Sequence, residues 1–214
     1  MGMRSTALGG WHRSIIALAA AIADGDPHQL DARVKVAIVA GIPPLAIDEL
    51  LLQSVLTVGW PRALVAAGAW RAAIGAPAQN GTADLDYAEH AEWTRRGEIT
   101  CAAIYGDHYS RLRANVRALH PALEAWMLTE GYGRTLSRPG LELKLRELCT
   151  VAQTAVLRTP RQLHSHLLGA LRAGATFAEI EATLDVTDPM LPQAQRDQVA
   201  VLWQRVRAAW GAAE

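Results

Sequence analysis

Apolar residues recur at three- and four-residue spacing along nearly the whole chain, a period that fits helices and excludes an alternating strand. The pattern is clearest from Arg146 to Gly174. Leu145, Leu148, Cys149, Val151, Ala152, Ala155 and Val156 form the buried stripe of a helix expected over 141–158. Thr159-Pro160-Arg161-Gln162 then reads as a new helix start, with a cap, a proline at the first position and a glutamine three residues after the cap. This second helix is expected to reach Ala173, and Gly174 suits the left-handed residue that ends it. Its inward arc is Leu163, Leu167, Ala170 and Ala173, and His166 falls inside that arc beside Gly169. Glu147 lies at the margin of the first helix's apolar face, next to Val151. Cys149 is rotated from it by about 200° and is a poor partner. An antiparallel packing of the two helices brings Glu147 to His166, and a carboxylate that orients an imidazole is a general acid–base device. The alternative is a satisfied core histidine and an unrelated surface glutamate.

The same punctuation occurs earlier. Trp11, Ile15, Leu18 and Ile22 form one stripe, after a loose N-terminus expected over 1–10. Asp26 caps a helix that opens on Pro27 and stops at Gly41. Pro43-Pro44 opens a third helix over 45–58, and Gly59-Trp60-Pro61 turns into a fourth over 62–74. An offset of 133 residues places Arg13 on Arg146, Gln29 on Gln162, Leu30 on Leu163, Ala37 on Ala170, Gly41 on Gly174, Ile47 on Ile180, Leu51 on Leu184 and Trp70 on Trp203. Caps, stops and core positions move together, which is the mark of an internal duplication. Glu147 falls on Ser14 and His166 on Arg33, so the first copy lacks the acid and the base and reads as a packing surface. Further helices are expected over 85–105, 109–119, 121–130, 176–184 and 193–210, with an irregular lead-in at 131–140. The expected architecture is all-α, with two related multi-helix units. A degenerate first copy spans 11–76, the polar segment 77–84 is a linker, and 85–211 is a larger helical domain holding the second copy.

Lys+Arg and Asp+Glu are each 21, and this zero net charge points to neither nucleic acid nor an anionic membrane. No apolar run is read as approaching the roughly 18 residues of a membrane span. The apolar stretch 15–23 lacks a cleavage pattern, and the protein is expected in the cytoplasm. Cys101 and Cys149 belong to no CxxC or metal motif. They are expected as reduced, buried thiols, with a disulfide between them as the alternative. The seven tryptophans are expected in the core and at subunit contacts. His164 and His166 diverge by about 200° on one helix and cannot easily share an ion with Glu147, so no metal site is expected. Tyr105, Tyr109 and Tyr132 are pocket-lining candidates that spacing does not separate. Arg161 and Arg172 are expected in solvent. Arg134 and Arg138, in the irregular lead-in, and His164, at the rim, are the candidates to bind an anionic substrate.

The segment from Arg95 to Leu184 resembles the carboxymuconolactone decarboxylase family, which includes the alkylhydroperoxidase D-like proteins. Glu147 and His166 match the outer positions of that family's Glu…CxxC…His pattern, 19 residues apart. Thr159 and Gln162 stand at the two cysteine positions, which argues against the peroxidase branch. LTEGYGRTLSRPGLELKLREL and HLLGALRAGATFAEIEATL are similar to the decarboxylase branch on either side of the motif, whereas Asp185 to Pro192 replaces its usual Gly-x-Pro turn. The resemblance implies an alkylhydroperoxidase D-like helical fold and a cofactor-independent carboxy-lyase. It implies a small anionic lactone from aromatic-acid breakdown as substrate, His166 as proton donor and Glu147 as its orienting carboxylate. It also implies a homo-oligomer, with a trimer of this two-copy chain favoured. The alternatives are a non-catalytic binding or scaffold member of the family and an alkylhydroperoxidase-like redox protein.

Overall fold

A computed structural model describes residues 7–78 and 84–212, and in them the chain is helical with no strand. Two helices have no solvent face. In α1 (His12–Asp24) every residue from Ile15 to Ala23 is buried, and in α7 (Leu143–Val156) every residue from Leu145 to Ala155 is. A helix buried all round must be central, and the two pack on each other. Alanines at 17, 19, 20, 21 and 23 give α1 the slim profile that such a position needs.

The remaining elements repeat around this pair. On the first side are α2 (Pro27–Val39) and α3 (Pro44–Ile74). On the second are α8 (Pro160–Arg172), α9 (Phe177–Thr187) and α10 (Gln193–Gly211). Shifting α2 by 133 residues reproduces the bounds of α8, and Pro44 falls on Phe177, the first residue of α9. The repeat reaches side-chain detail. Trp70 Nε1 donates to Asp48 Oδ1 at 3.2 Å, and Trp203 Nε1 donates to Glu181 Oε1, the pseudo-equivalent acid, at 3.2 Å. Both units feed one continuous apolar core.

Side-chain caps open α2 and α9. Asp26 accepts from His28 N and Gln29 N, and Thr176 and Glu179 form a reciprocal capping box. Thr159 does not cap α8 as expected: its hydroxyl donates back to Thr154 O at 3.2 Å, closing α7 instead. Gly59, at φ 72 and ψ 171, breaks α3 at the turn foreseen there. By length and composition α3 is nonetheless apolar enough to cross a membrane, contrary to the sequence reading. In this fold its inner face joins the core through Ala46, Ile47, Leu50 and Leu51. Of the expected loose N-terminus, residues 1–6 lie outside the described ones, and Leu8 is buried in the core. Residues 79–83 of the expected linker also lie outside them.

Between the units come α4 (His90–Tyr105), α5 (Tyr109–Leu119) and α6 (Pro121–Trp126), with α6 continuing into a π-helix, Met127–Leu136. The helix foreseen from Leu85 starts later, because Asp86 first caps a 3₁₀ turn, Tyr87–Glu89. The irregular lead-in foreseen at 131–140 is largely this π-helix. It crosses α4 backbone to backbone. A Cβ on Gly97 would meet Leu128 O at 2.0 Å, and one on Gly133 would meet Trp93 O at 1.8 Å, so only glycine fits at either crossing point.

Buried charge ties the first unit to the second. Arg146, with no exposed surface, donates from Nη2 to Glu49 Oε2 (2.9 Å) and Arg138 O (2.9 Å), from Nη1 to Gln53 Oε1 (3.3 Å), and from Nε to Leu141 O (2.9 Å). Arg138 Nε bridges both oxygens of Glu49, at 3.0 and 3.1 Å. Removing Glu49 takes from the buried Arg146 its carboxylate partner, while Arg138 keeps Asp84, and breaking such a buried pair costs about 3–5 kcal/mol. Glu49→Ala is therefore expected to lose about that much stability in urea unfolding, far more than Glu92→Ala, whose partner Arg95 is exposed.

Candidate functional site

The turn after α7 folds α8 back along it and carries His166 to Glu147. His166 Nδ1 lies 2.9 Å from Glu147 Oε2. Glu147 was placed at a helix margin by its spacing, but the approach of α8 and α4 buries it completely. The His166 side chain keeps 16% exposure, so the pair runs from the core to the surface. An ionised carboxylate only accepts, so Nδ1–H is the donor and Nε2 is the ring nitrogen left for chemistry. Glu147 Oε1 is buried with no hydrogen-bond partner among the described residues. Buried carboxylate oxygens are rarely left this way.

Small residues make room for the pair. A Cβ on Gly169 would sit 2.4 Å from Glu147 Oε2 and 2.8 Å from Ile104 Cγ2. The α4 end carrying Ile104 and Tyr105 closes the site on one side, and the π-helix adds Tyr132. Tyr132 Oη donates to Tyr105 Oη at 3.2 Å, with the rings edge to face at 6.1 Å. Burial is the main cause that pushes the Tyr105 hydroxyl up to about 12, and the Glu147 charge adds to it. Burial, then Tyr105, Cys101 and Glu147, raise Tyr132 well above the ordinary range. Sequence spacing did not single out these two tyrosines, because nothing local marks residues 27 apart as neighbours.

The remaining sequence candidates lie elsewhere. His164 is exposed on α8. Arg138 is committed to Glu49 and, through Nη1, to Asp84 Oδ2 at 2.8 Å. Arg134 donates to Asp84 O (3.0 Å), Tyr87 Oη (2.7 Å) and Glu130 Oε2 (3.0 Å) and lies over the Tyr87 and Trp93 rings. Both arginines are thus engaged by carboxylates of the protein itself. Arg172, expected in solvent, donates to Ile104 O at 3.2 Å and steadies the α4 end. Both cysteines are free and buried, and burial is the main cause that pushes each thiol up to about 12. No cluster of three or more metal-binding side chains occurs among the described residues.

The described residues form an all-α, duplicated helical framework whose second unit brings a buried carboxylate to a histidine. The sequence model of the carboxymuconolactone decarboxylase family matches residues 6–72 and 121–214, three quarters of the chain. The protein belongs to that family, which includes decarboxylases. The two matched segments agree with the duplicated helical unit. No curated protein matches the chain.

The raised thiol and phenol groups set a pH dependence. Cys101 and Cys149 ordinarily titrate at 9.0 and Tyr105 at 10.0, and each reaches about 12 when folded. Between those limits the unfolded chain releases protons that the native chain keeps, so stability present below about 9 falls as pH rises toward 12. Urea midpoints at pH 8, 9.5 and 11 are expected to decline in order. A flat series contradicts the burial assigned to these groups.

Proposed function

We propose that this protein is a cofactor-independent carboxy-lyase acting on a small anionic lactone related to the intermediates of aromatic-acid breakdown. The observation that carries the reading is the 2.9 Å Glu147–His166 bond, with the acid fully buried and the imidazole reaching the surface. In the proposed reaction the bond between the lactone carbon and its carboxylate breaks and CO2 leaves. The electron pair delocalises into the conjugated carbonyl as an enolate. His166 Nε2–H protonates the enolate carbon, and the ring recovers its proton from water. Glu147 is the positioning residue: it fixes the tautomer and favours the imidazolium that delivers the proton.

The redox alternative is disfavoured. Thr159 and Gln162 occupy the thiol positions, and the two cysteines the chain has are buried with strongly raised thiols, far from the accessible thiolate such chemistry needs.

His166→Asn is expected to lower kcat on carboxymuconolactone by about 10²–10⁴-fold with little change in thermal stability. Glu147→Gln is expected to do the same and to disturb the imidazole tautomer seen in ¹⁵N NMR. A His166→Asn protein that decarboxylates at the wild-type rate ends this reading. The proposal includes a homo-oligomer, with a trimer favoured. Its support is the set of exposed apolar side chains Leu52, Leu56, Trp60 and Leu64 on either side of the α3 break. Sedimentation equilibrium is expected to give the trimer mass, with Trp60→Glu shifting it toward monomer; a wild-type monomer at micromolar concentration contradicts this part.

A further inference from the structure

We infer that Tyr105 is the hydrogen-bond donor that holds the substrate's anionic oxygen beside His166, and that Tyr132 positions it. The inference deepens the proposed reading and rests on it. An enolate formed next to His166 needs a donor aimed at its oxygen, and such donors often contribute a large share of a rate enhancement. The arginines expected to meet an anion are held in ion pairs with Glu49, Asp84 and Glu130. The phenols are the donors that the fold brings to the acid–base pair.

Three contacts fix Tyr105. Its oxygen accepts the Tyr132 hydroxyl at 3.2 Å. Ser165, the residue next to His166 on α8, is among the groups that act on the same phenol. Ile104, its neighbour in the chain, packs where a Gly169 side chain would be. Tyr105 therefore stands between the buried Tyr132 hydroxyl and the part of α8 that carries His166. Tyr132 is buried and Tyr105 half-buried, so the chain runs outward to the rim, as the Glu147–His166 pair does. A phenol that accepts one hydrogen bond becomes a stronger donor of its own proton. A ligand oxygen at His166 takes that proton. Tyr132 lies in the π-helix, whose widened turns bring its ring into the cluster with Cys101 and Ile104.

The test uses the full chain labelled with 3-fluorotyrosine, whose four tyrosines give four ¹⁹F resonances, assigned by single Phe variants. The probe is muconate, a non-reacting dicarboxylate, and His166 ring signals are followed in the same titration. Muconate is expected to shift the Tyr105 and Tyr132 resonances together with His166 and to leave Tyr87 and Tyr109 in place. Tyr105→Phe is expected to weaken muconate binding about tenfold or more, the scale of a lost bond to a charged group, and to lower kcat on carboxymuconolactone more than it raises KM. Tyr132→Phe is expected to have a smaller effect of the same kind, and Tyr109→Phe none. Circular dichroism melts separate folding losses from these effects. If muconate moves His166 while the Tyr105 resonance and the Tyr105→Phe affinity stay unchanged, the tyrosine role is overturned and the acid–base reading stands. If muconate and carboxymuconolactone move neither residue, both fall.

Discussion

The site depends on how one buried guanidinium is satisfied. Arg146 is wholly enclosed, and its hydrogen bonds go to Glu49 and Gln53 of the first unit and to Leu141 and Arg138 of the lead-in. These bonds fix the rotation of α7 about its axis, because a roll large enough to break them leaves a charge unpaired in the core. The next residue, Glu147, is then turned about 100° further round the helix, toward α8. The charge cluster that joins the two units thus also aims the carboxylate. The first unit thus bears on the placement of the Glu147–His166 pair through Glu49 and Gln53.

The duplication has been kept where packing requires it and lost where chemistry does not. Trp70 with Asp48 and Trp203 with Glu181 preserve one hydrogen bond in both copies. Arg146 is buried, while its counterpart Arg13 is only half-buried. Ser14 and Arg33 stand where Glu147 and His166 do. A second difference comes from the chain between the units. The end of α4 covers α8 through Ile104 and Arg172, whereas Val36 and Val39, on the matching face of α2, are exposed. Enclosure of the acid–base pair therefore belongs to the second unit alone.

Much of the framework was legible in the sequence because its signals are local. Asp26-Pro27, Thr176 with Glu179, and Gly59 act within one helical turn, and each does in the fold what its type and spacing imply. The Glu147–His166 pair was legible because a short turn leaves two helices few ways to fold back. Thr159 was misread because two acceptable hydrogen bonds competed, and the choice of Thr154 O over the α8 amides depended on how α7 ends. The π-helix was missed because its widened turns follow from glycine contacts with α4, across 36 residues of chain.

The sequence by itself determined that the chain is helical, where most helices begin and end, that the framework is doubled, and which copy carries the acid and the base. These follow from periodicity, capping and spacing, which act over a few residues. Only the tertiary structure decided that Glu147 is buried, that Arg134 and Arg138 serve ion pairs, and that Tyr105 and Tyr132 meet beside the site. Those outcomes depend on which groups can be satisfied once distant segments exclude water together, and no local pattern encodes that competition.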